Sequence, residues 1–126
     1  RLSTPVLTRT YLTGGAITKR RIVKWGSADH TVVQATAATD SLIGVAAELD
    51  AASGERIDVH LSGVVEVEFG GNVTRGAQIT ADTSGKAVAA APAAGVNNGI
   101  IGIAMVSGVS GDIGTVLLAQ STLQGA

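Results

Sequence analysis

Histidine and serine are the side chains of this sequence that could support nucleophilic catalysis. His30 lies beside Asp29 in a polar turn, and His60 falls on the polar face of a predicted strand. A Ser-His-Asp triad also needs a serine on a sharp turn, which hydrolases commonly build from the pattern Gly-x-Ser-x-Gly. The sequence does not contain that pattern, and residues 107–111 form only a Gly/Ser turn. We therefore predict no catalytic residue and no enzymatic activity.

Paired carboxylates are the side chains that could bind a metal. Glu66 and Glu68 share one strand face, and Glu48 and Asp50 form a second pair. The chain has two histidines and no cysteine, which makes a zinc site a poor fit, and no segment has the EF-hand spacing for calcium. We interpret Glu66 and Glu68 as a solvated strand face. No Walker A motif is present either, so the sequence predicts no metal and no cofactor.

The charges are segregated along the chain, although the net charge is only −1. Six of the nine basic residues precede position 25, and no acidic residue occurs before Asp29. A basic segment of this kind is either a solvated strand or a surface for an acidic partner or a nucleic acid. Trp25 ends the basic run from Lys19, and such an aromatic could stack on a base. A single aromatic within an otherwise acidic domain argues against nucleic acid, and no apolar run is long enough to predict a membrane span.

The elements that must position these residues are short β-strands. The chain has 126 residues, which fits one domain, and its 17 glycines punctuate runs of β-branched residues. From Arg56 to Phe69, apolar and polar residues alternate, which predicts a strand with one buried and one wet face. The alternation continues on the same parity on both sides of Gly63, so a hairpin at this position is not required. We expect one long strand that bends at Gly63. The sequence therefore predicts an all-β fold.

An internal repeat indicates how the strands are arranged. Leu42–Ala46 resembles Ile100–Ala104, and positions 53–55 resemble positions 110–112 at nearly the same offset along the chain. Each half reads as strand, glycine, strand, acidic turn and strand. Two copies are too few for a solenoid. We predict a small β-barrel or β-tulip with pseudo-twofold symmetry.

Two strands of the second half are apolar on both faces, namely residues 100–106 and 116–119. One face could meet the core and the other a neighbouring subunit, or the strands could be fully covered within the chain. On the first interpretation the candidate oligomer interface consists of Ile101, Ile103, Met105, Val116 and Leu118.

The N-terminal segment, residues 1–16, reads as a separate extended arm, followed by a single domain over residues 17–126. Apolar residues are scattered among threonine and arginine, Pro5 lies near the start, and Gly14 and Gly15 end the segment. Such a segment is marginal unless it is docked on something.

The order of strands and glycines resembles the capsid cement, or decoration, proteins of tailed phages. The resemblance runs from about residue 17 to residue 120. The segments that carry it are Leu42–Ala46, Ala52–Glu55, Ile57–Val64, Val73–Asp82 and Ile101–Ala104. It implies a β-barrel or β-tulip that binds the outside of the mature phage head. Such proteins stabilise the head against internal DNA pressure, often as homotrimers, and carry no catalytic residues. The N-terminus does not resemble a signal peptide, so we expect synthesis in the host cytoplasm.

The resemblance also implies that the arm contacts the major capsid protein. The candidate capsid-binding residues are Leu2, Pro5, Val6, Leu7, Arg9 and Tyr11. On this hypothesis, deletion of residues 1–13 leaves a folded domain that no longer binds capsids. The alternatives are another structural β-module, such as a tail or baseplate component or a secreted surface protein, and a small nucleic-acid-binding barrel.

Overall fold

The computed structural model describes residues 4–125, and these residues confirm the all-β class. Within that range no helix has the length and apolar character needed to cross a membrane. The described residues form nine strands: β1 (Thr4–Thr13), β2 (Ile22–Trp25), β3 (Thr31–Gln34), β4 (Leu42–Ala46), β5 (Arg56–Glu68), β6 (Gln78–Ala81), β7 (Ala87–Ala89), β8 (Asn97–Ala104) and β9 (Ile113–Gln124).

The first five strands close into a ring, which we call the first ring. Their order is β1-β3-β2-β4-β5, and an antiparallel pairing of β1 with β5 joins the two ends. The pairing of β1 with β3 is parallel and short, with Leu12 opposite Thr31 and Thr13 opposite Val32.

The second half of the chain forms a similar arrangement, the second ring. Its order is β5-β9-β8-β6-β7, and a parallel bridge between Phe69 and Ala87 links β7 back to the end of β5. Strand β5 therefore belongs to both rings, its first half to the first and its second half to the second. The predicted repeat is present, but it closes as two rings with one strand in common rather than as one barrel.

The hydrogen-bond register reproduces the predicted repeat. Val23 lies opposite Gly44 in the first ring, and Ile79 lies opposite Gly102 in the second. The acidic turns also match, because in each the carboxylate accepts the amide N–H three residues earlier. Ala52 donates to Glu55 at 2.7 Å, and Val109 donates to Asp112 at 2.9 Å. The resemblance between the halves thus extends to their turn hydrogen bonds.

Two clusters of buried apolar side chains fill the fold. The cluster of the first ring contains Tyr11, Ile17, Val23, Val32, Ala46, Ala51, Ile57 and Val59. The larger cluster includes Phe69, Ile79, Ile101, Val116 and Leu118 from the second ring, together with Ile22 and Val45 from the first. Side chains of β2 and β4 therefore contribute to both clusters and pack the rings against each other.

The predicted arm corresponds mainly to β1, which is extended but is not separate from the domain. It pairs with β5 from Thr4 to Leu12. The side chains of Tyr11 and Thr13 are buried, and the Thr13 hydroxyl donates to the carbonyl oxygens of Ala52 and Glu55. Deletion of residues 1–13 would remove one wall of the first ring. The expectation that this truncation leaves a folded domain is therefore replaced by an expectation that the ring opens.

Gly63, where the sequence predicts a bend, lies opposite Pro5 in the antiparallel pairing of β1 with β5. Gly63 has a φ of 99°, which favours glycine. A Cβ atom at Gly63 would lie 2.6 Å from the Thr4 carbonyl oxygen and 2.6 Å from the Val6 nitrogen. Glycine is required there because the two backbones touch.

Candidate functional site

The start of β1 carries exposed apolar side chains at Val6 and Leu7. Every residue from Thr4 to Thr10 is exposed. The pairing with β5 shifts register between Pro5 and Leu7, so Val6 forms a bulge, and its side chain is 80% exposed. Within residues 4–125, no strand pairs with Thr4–Tyr11 on the edge away from β5. An unpaired edge of this kind can accept a strand from another chain.

The predicted capsid-binding residues divide into exposed and buried positions. Pro5, Val6, Leu7 and Arg9 are exposed on β1, whereas Leu2 lies outside the described residues. Tyr11 is only 4% exposed and belongs to the core of the first ring, so it is not available to a capsid in this conformation.

The predicted oligomer-interface residues also divide. Ile103 and Met105 are exposed, but Ile101, Val116 and Leu118 are buried in the core. The register of β8 and β9 shifts at this point, because Ala119 and Gln120 of β9 both lie opposite Ile101. Such a bulge interrupts the regular alternation of buried and exposed positions, and Ile100 and Ile101 are both buried. Ile101 is therefore buried, whereas Ile103, two residues later, is exposed.

A smaller apolar patch remains on the outer face of β8 and β9. Ile103 lies directly opposite Leu117, and the Met105 amide donates to the Thr115 carbonyl oxygen at 3.0 Å. Ile113 lies on the same face of β9 as Leu117. We call Ile103, Met105, Ile113 and Leu117 the apolar patch; each is between 41% and 47% exposed. Ile113 and Leu117 were not predicted from the sequence, although their alternation with Gly114, Val116 and Leu118 is visible there.

The basic segment forms ion pairs with distant acidic residues of the same chain. Arg20 is 3.8 Å from Glu48, Arg21 is 3.1 Å from Glu68, and Lys24 is 3.1 Å from Asp40. Three of the basic side chains that the sequence analysis considered available to an external acidic partner are therefore paired within the chain. These pairs also argue against a phosphate-binding groove, because such a groove needs cations that are free to contact phosphate.

The Glu68 side chain is partly buried and forms ion pairs, so it is not part of a solvated strand face. Its second oxygen is 3.3 Å from the Lys86 ammonium. Burial alone would raise the pKa of Glu68, but the hydrogen bonds and charges of Arg21 and Lys86 outweigh burial and lower it from its ordinary value of 4.5. The pKa of Asp40 is lowered in the same way: burial acts against the backbone amide of Thr36 and the Lys24 ammonium, which prevail.

The two histidines have different surroundings. The Thr8 hydroxyl lies 2.9 Å from Nδ1 of His60, which links β1 to β5. His30 lies in the loop between β2 and β3 and has a φ of 58°. Among residues 4–125, no group of three or more His, Cys, Asp or Glu side chains is arranged to hold a metal ion.

A cleft of about 550 Å³ lies beside His30. It is lined by Arg9, Tyr11, Trp25, Gly26, Ser27, Ala28, Asp29 and His30. The Trp25 ring contacts the Tyr11 ring edge to face, with centroids 5.5 Å apart, and the Arg9 guanidinium lies 5.6 Å from the centre of the Tyr11 ring. From the sequence, Trp25 was interpreted only as part of the basic run, and nothing there brought it together with Arg9 or His30.

Comparison with known proteins identifies both a family and a fold. A family model described as phage cement protein matches residues 3–120. The crystal structure of the N base of the head fiber gp8.5 of bacteriophage phi29 superposes with a TM-score of 0.68 at 18% identity, covering 94% of this chain and 98% of that one. At this identity the structural likeness concerns the fold. No curated protein matches the chain at a significant level.

Proposed function

The chain belongs to the phage cement protein family, and on that premise we propose that it binds the outer surface of the mature phage head and stabilises the shell against internal DNA pressure. The observation that carries the proposal is the family match over residues 3–120. The proposed role is structural and involves no catalytic step. The protein would be made in the host cytoplasm and would join the head from outside.

The proposed partner is the major capsid protein, and the proposed contact surface is the start of β1. Val6 and Leu7 expose apolar side chains there, and the edge of the strand leaves backbone hydrogen-bonding groups available. A capsid segment that paired with this edge would gain main-chain hydrogen bonds and would cover both side chains. Arg9 extends the same surface with a positive charge.

We further propose that the protein acts as a homotrimer. The apolar patch gives a subunit an outward surface that self-association would cover, and two of its residues, Ile103 and Met105, belong to the interface predicted from the sequence. A closed threefold assembly would suit a local threefold position of an icosahedral shell, because each copy could then make the same capsid contact. Three linked contacts also raise the apparent affinity well above that of one.

Stabilisation would follow from mass action. A protein that binds the mature shell but not its disrupted form stabilises each site by about 2.7 kcal/mol when its free concentration is 100 times Kd. Because a shell offers many such sites, modest affinity at each is sufficient.

Co-sedimentation with purified capsids tests the proposal. We expect the double variant Val6→Asp, Leu7→Asp to bind at least about tenfold more weakly, since burying two carboxylates at an apolar contact is costly. Leu49→Asp is the matched control, because Leu49 is 80% exposed in the loop between β4 and β5 and is not part of the start of β1. Thermal unfolding should be unchanged in both. Wild-type binding by the double variant would exclude β1 as the contact, and absence of binding by the wild-type protein would exclude the capsid role.

A further inference from the structure

The cleft beside Trp25 has the features of a built site, and of its residues only Arg9 also belongs to the capsid contact proposed above. Trp25 is the single tryptophan of the chain, and its side chain is 49% exposed at the cleft. An exposed indole presents a broad apolar face to solvent, on which the apolar face of a ligand can stack.

The indole is held in place from beneath. Tyr11 is buried in the core of the first ring, and its edge-to-face contact with Trp25 limits the movement of the exposed ring. The Gly26 amide donates to the Thr31 carbonyl oxygen at 2.7 Å, which closes the loop immediately after Trp25. Trp25 is therefore a fixed platform rather than a mobile surface side chain.

The second ring provides an internal comparison for the loop. Its hairpin between β6 and β7 is closed by the Asp82 amide, which donates to the Lys86 carbonyl oxygen as Gly26 donates to Thr31. The residue before Lys86 is Gly85, with a φ of 74°, whereas the residue before Thr31 is His30, with a φ of 58°. Glycine adopts this backbone without steric cost, and histidine does not. The first ring thus has a histidine, His30, at the position where the second ring has Gly85.

The aromatic pair is also specific to the first ring. Trp25 is the last residue of β2, and the last residue of β6 is Ala81. In the first ring, Tyr11 of β1 lies opposite Ile57 of β5. In the second ring the corresponding pair is Val67 of β5 opposite Gly114 of β9, so a valine takes the place of Tyr11. The shared fold therefore does not require the aromatic platform or the histidine.

The side chains around the platform specify the chemistry of a ligand. Arg9 and His30 supply hydrogen-bond donors, Asp29 supplies an acceptor, and Ser27 supplies both. A ligand that satisfies them needs closely spaced donors and acceptors together with an apolar face for the indole, which describes the pyranose ring of a sugar. A nucleic acid fits less well, because Lys24, the cation next to Trp25, is paired with Asp40.

We propose that the cleft formed by Arg9, Trp25, Asp29 and His30 is a saccharide-binding site, in which one sugar ring stacks on Trp25 and its hydroxyl groups bind the surrounding polar side chains. The volume of about 550 Å³ accommodates one to two sugar rings and lies within the range of small-molecule sites. The cleft is open to solvent, so the sugar can be part of a longer polysaccharide.

Trp25 fluorescence tests the proposal directly, since it is the only indole of the chain. The full chain is titrated with the methyl glycosides of glucose, galactose, N-acetylglucosamine and glucuronic acid. We expect a saturable change with at least one of them, with a Kd on the order of 1 mM. His30→Gly keeps the loop backbone and should weaken that binding about fivefold, which corresponds to one lost hydrogen bond. Thr83→Ala, in the hairpin loop of the second ring, is the matched control and should bind like the wild type.

Trp25→Ala removes the reporter, so its binding is measured by saturation-transfer NMR on the sugar, with circular dichroism to show that it folds. Loss of the NMR signal in the folded variant supports the site. The proposal is overturned if no glycoside gives a saturable change, or if Trp25→Ala keeps the wild-type NMR signal. Binding of a single-stranded oligonucleotide without binding of any glycoside would also overturn it, in favour of base stacking.

Discussion

Arg21 and Glu68 form a 3.1 Å ion pair between the segment that leads into β2 and the last residue of β5. Arg21 also donates to the Ser84 carbonyl oxygen at 2.9 Å, and Lys86 reaches the other oxygen of Glu68. The basic segment of the first ring is thereby tied to the β6–β7 loop of the second ring through one carboxylate. At the junction of the rings, the charged groups of Arg21, Glu68 and Lys86 interact with one another in place of part of their hydration.

The first prediction concerns this junction. Glu68→Gln should lower the free energy of unfolding by about 1–2 kcal/mol at pH 7, because two charge-assisted hydrogen bonds are weakened. The pKa of Glu68 is lowered in the folded state, so its stabilising contribution is complete above the unfolded value of 4.5 and is lost as the pH falls through the folded pKa. Urea denaturation should therefore show a difference between wild type and variant at pH 7 that disappears in strong acid.

Glu66→Gln is the matched control for that experiment. Glu66 is on the same face of β5, two residues before Glu68. Its substitution should change stability by less than about 0.5 kcal/mol, as for an ordinary surface position. If Glu68→Gln lowered the free energy of unfolding equally at pH 7 and in strong acid, the ion pairs would not be the source of the stabilisation.

The second prediction distinguishes the two ends of β1. Tyr11→Ala should destabilise the protein by about 3–4 kcal/mol, because it empties a large buried site in the first ring. Val6→Ala should be nearly neutral, since Val6 is exposed on a bulge. Chemical denaturation of both variants checks this. Similar stability of the two would show that the first ring does not depend on β1.

The third prediction concerns the close contact between Gly63 of β5 and the start of β1. Gly63→Ala should cost about 1–3 kcal/mol, because the new methyl group meets the backbone of Thr4 and Val6 and the φ of 99° is unfavourable for alanine. Gly15→Ala is the control, since a Cβ atom there meets nothing within 4 Å. Thermal unfolding should separate the two variants, and a stable Gly63→Ala protein would show that the start of β1 can move away from β5.

The fourth prediction concerns the apolar patch. Leu117→Asp should shift the protein from oligomer to monomer in light scattering after size exclusion, while its circular dichroism spectrum stays unchanged. The reason is that an interface core does not tolerate an unpaired carboxylate. Leu49→Asp should leave the mass unchanged. A wild-type mass for Leu117→Asp would remove the patch as the subunit interface.

Much of the fold could be predicted because short-range patterns determine it. The alternation from Arg56 to Phe69 indicated the long central strand. The likeness of Leu42–Ala46 to Ile100–Ala104 indicated a repeat that the turn hydrogen bonds reproduce at Glu55 and Asp112. Each of these features depends on residues that are close in sequence or on a comparison of the sequence with itself.

The remaining features depend on contacts across long sequence separations. The pairing of β1 with β5 joins Thr4 to Val64 and Leu12 to Arg56, and scattered threonines do not indicate it. The register shift that buries Ile101 arises from the partner strand β9 rather than from β8 alone. The cleft combines Arg9 with His30 only because β1 closes the first ring. Sequence patterns identify which residues alternate, but not which strand lies beside them.

The strand β5 has a consequence for the way the molecule unfolds. Because one strand supplies a wall to each ring, neither half of the repeat contains a complete set of walls once the chain is divided near Gly63. The two halves are alike in hydrogen bonding, yet they are not two autonomous folding units. Loss of β5 from one ring opens the other at the same time, so denaturation should be a single cooperative transition for the whole domain.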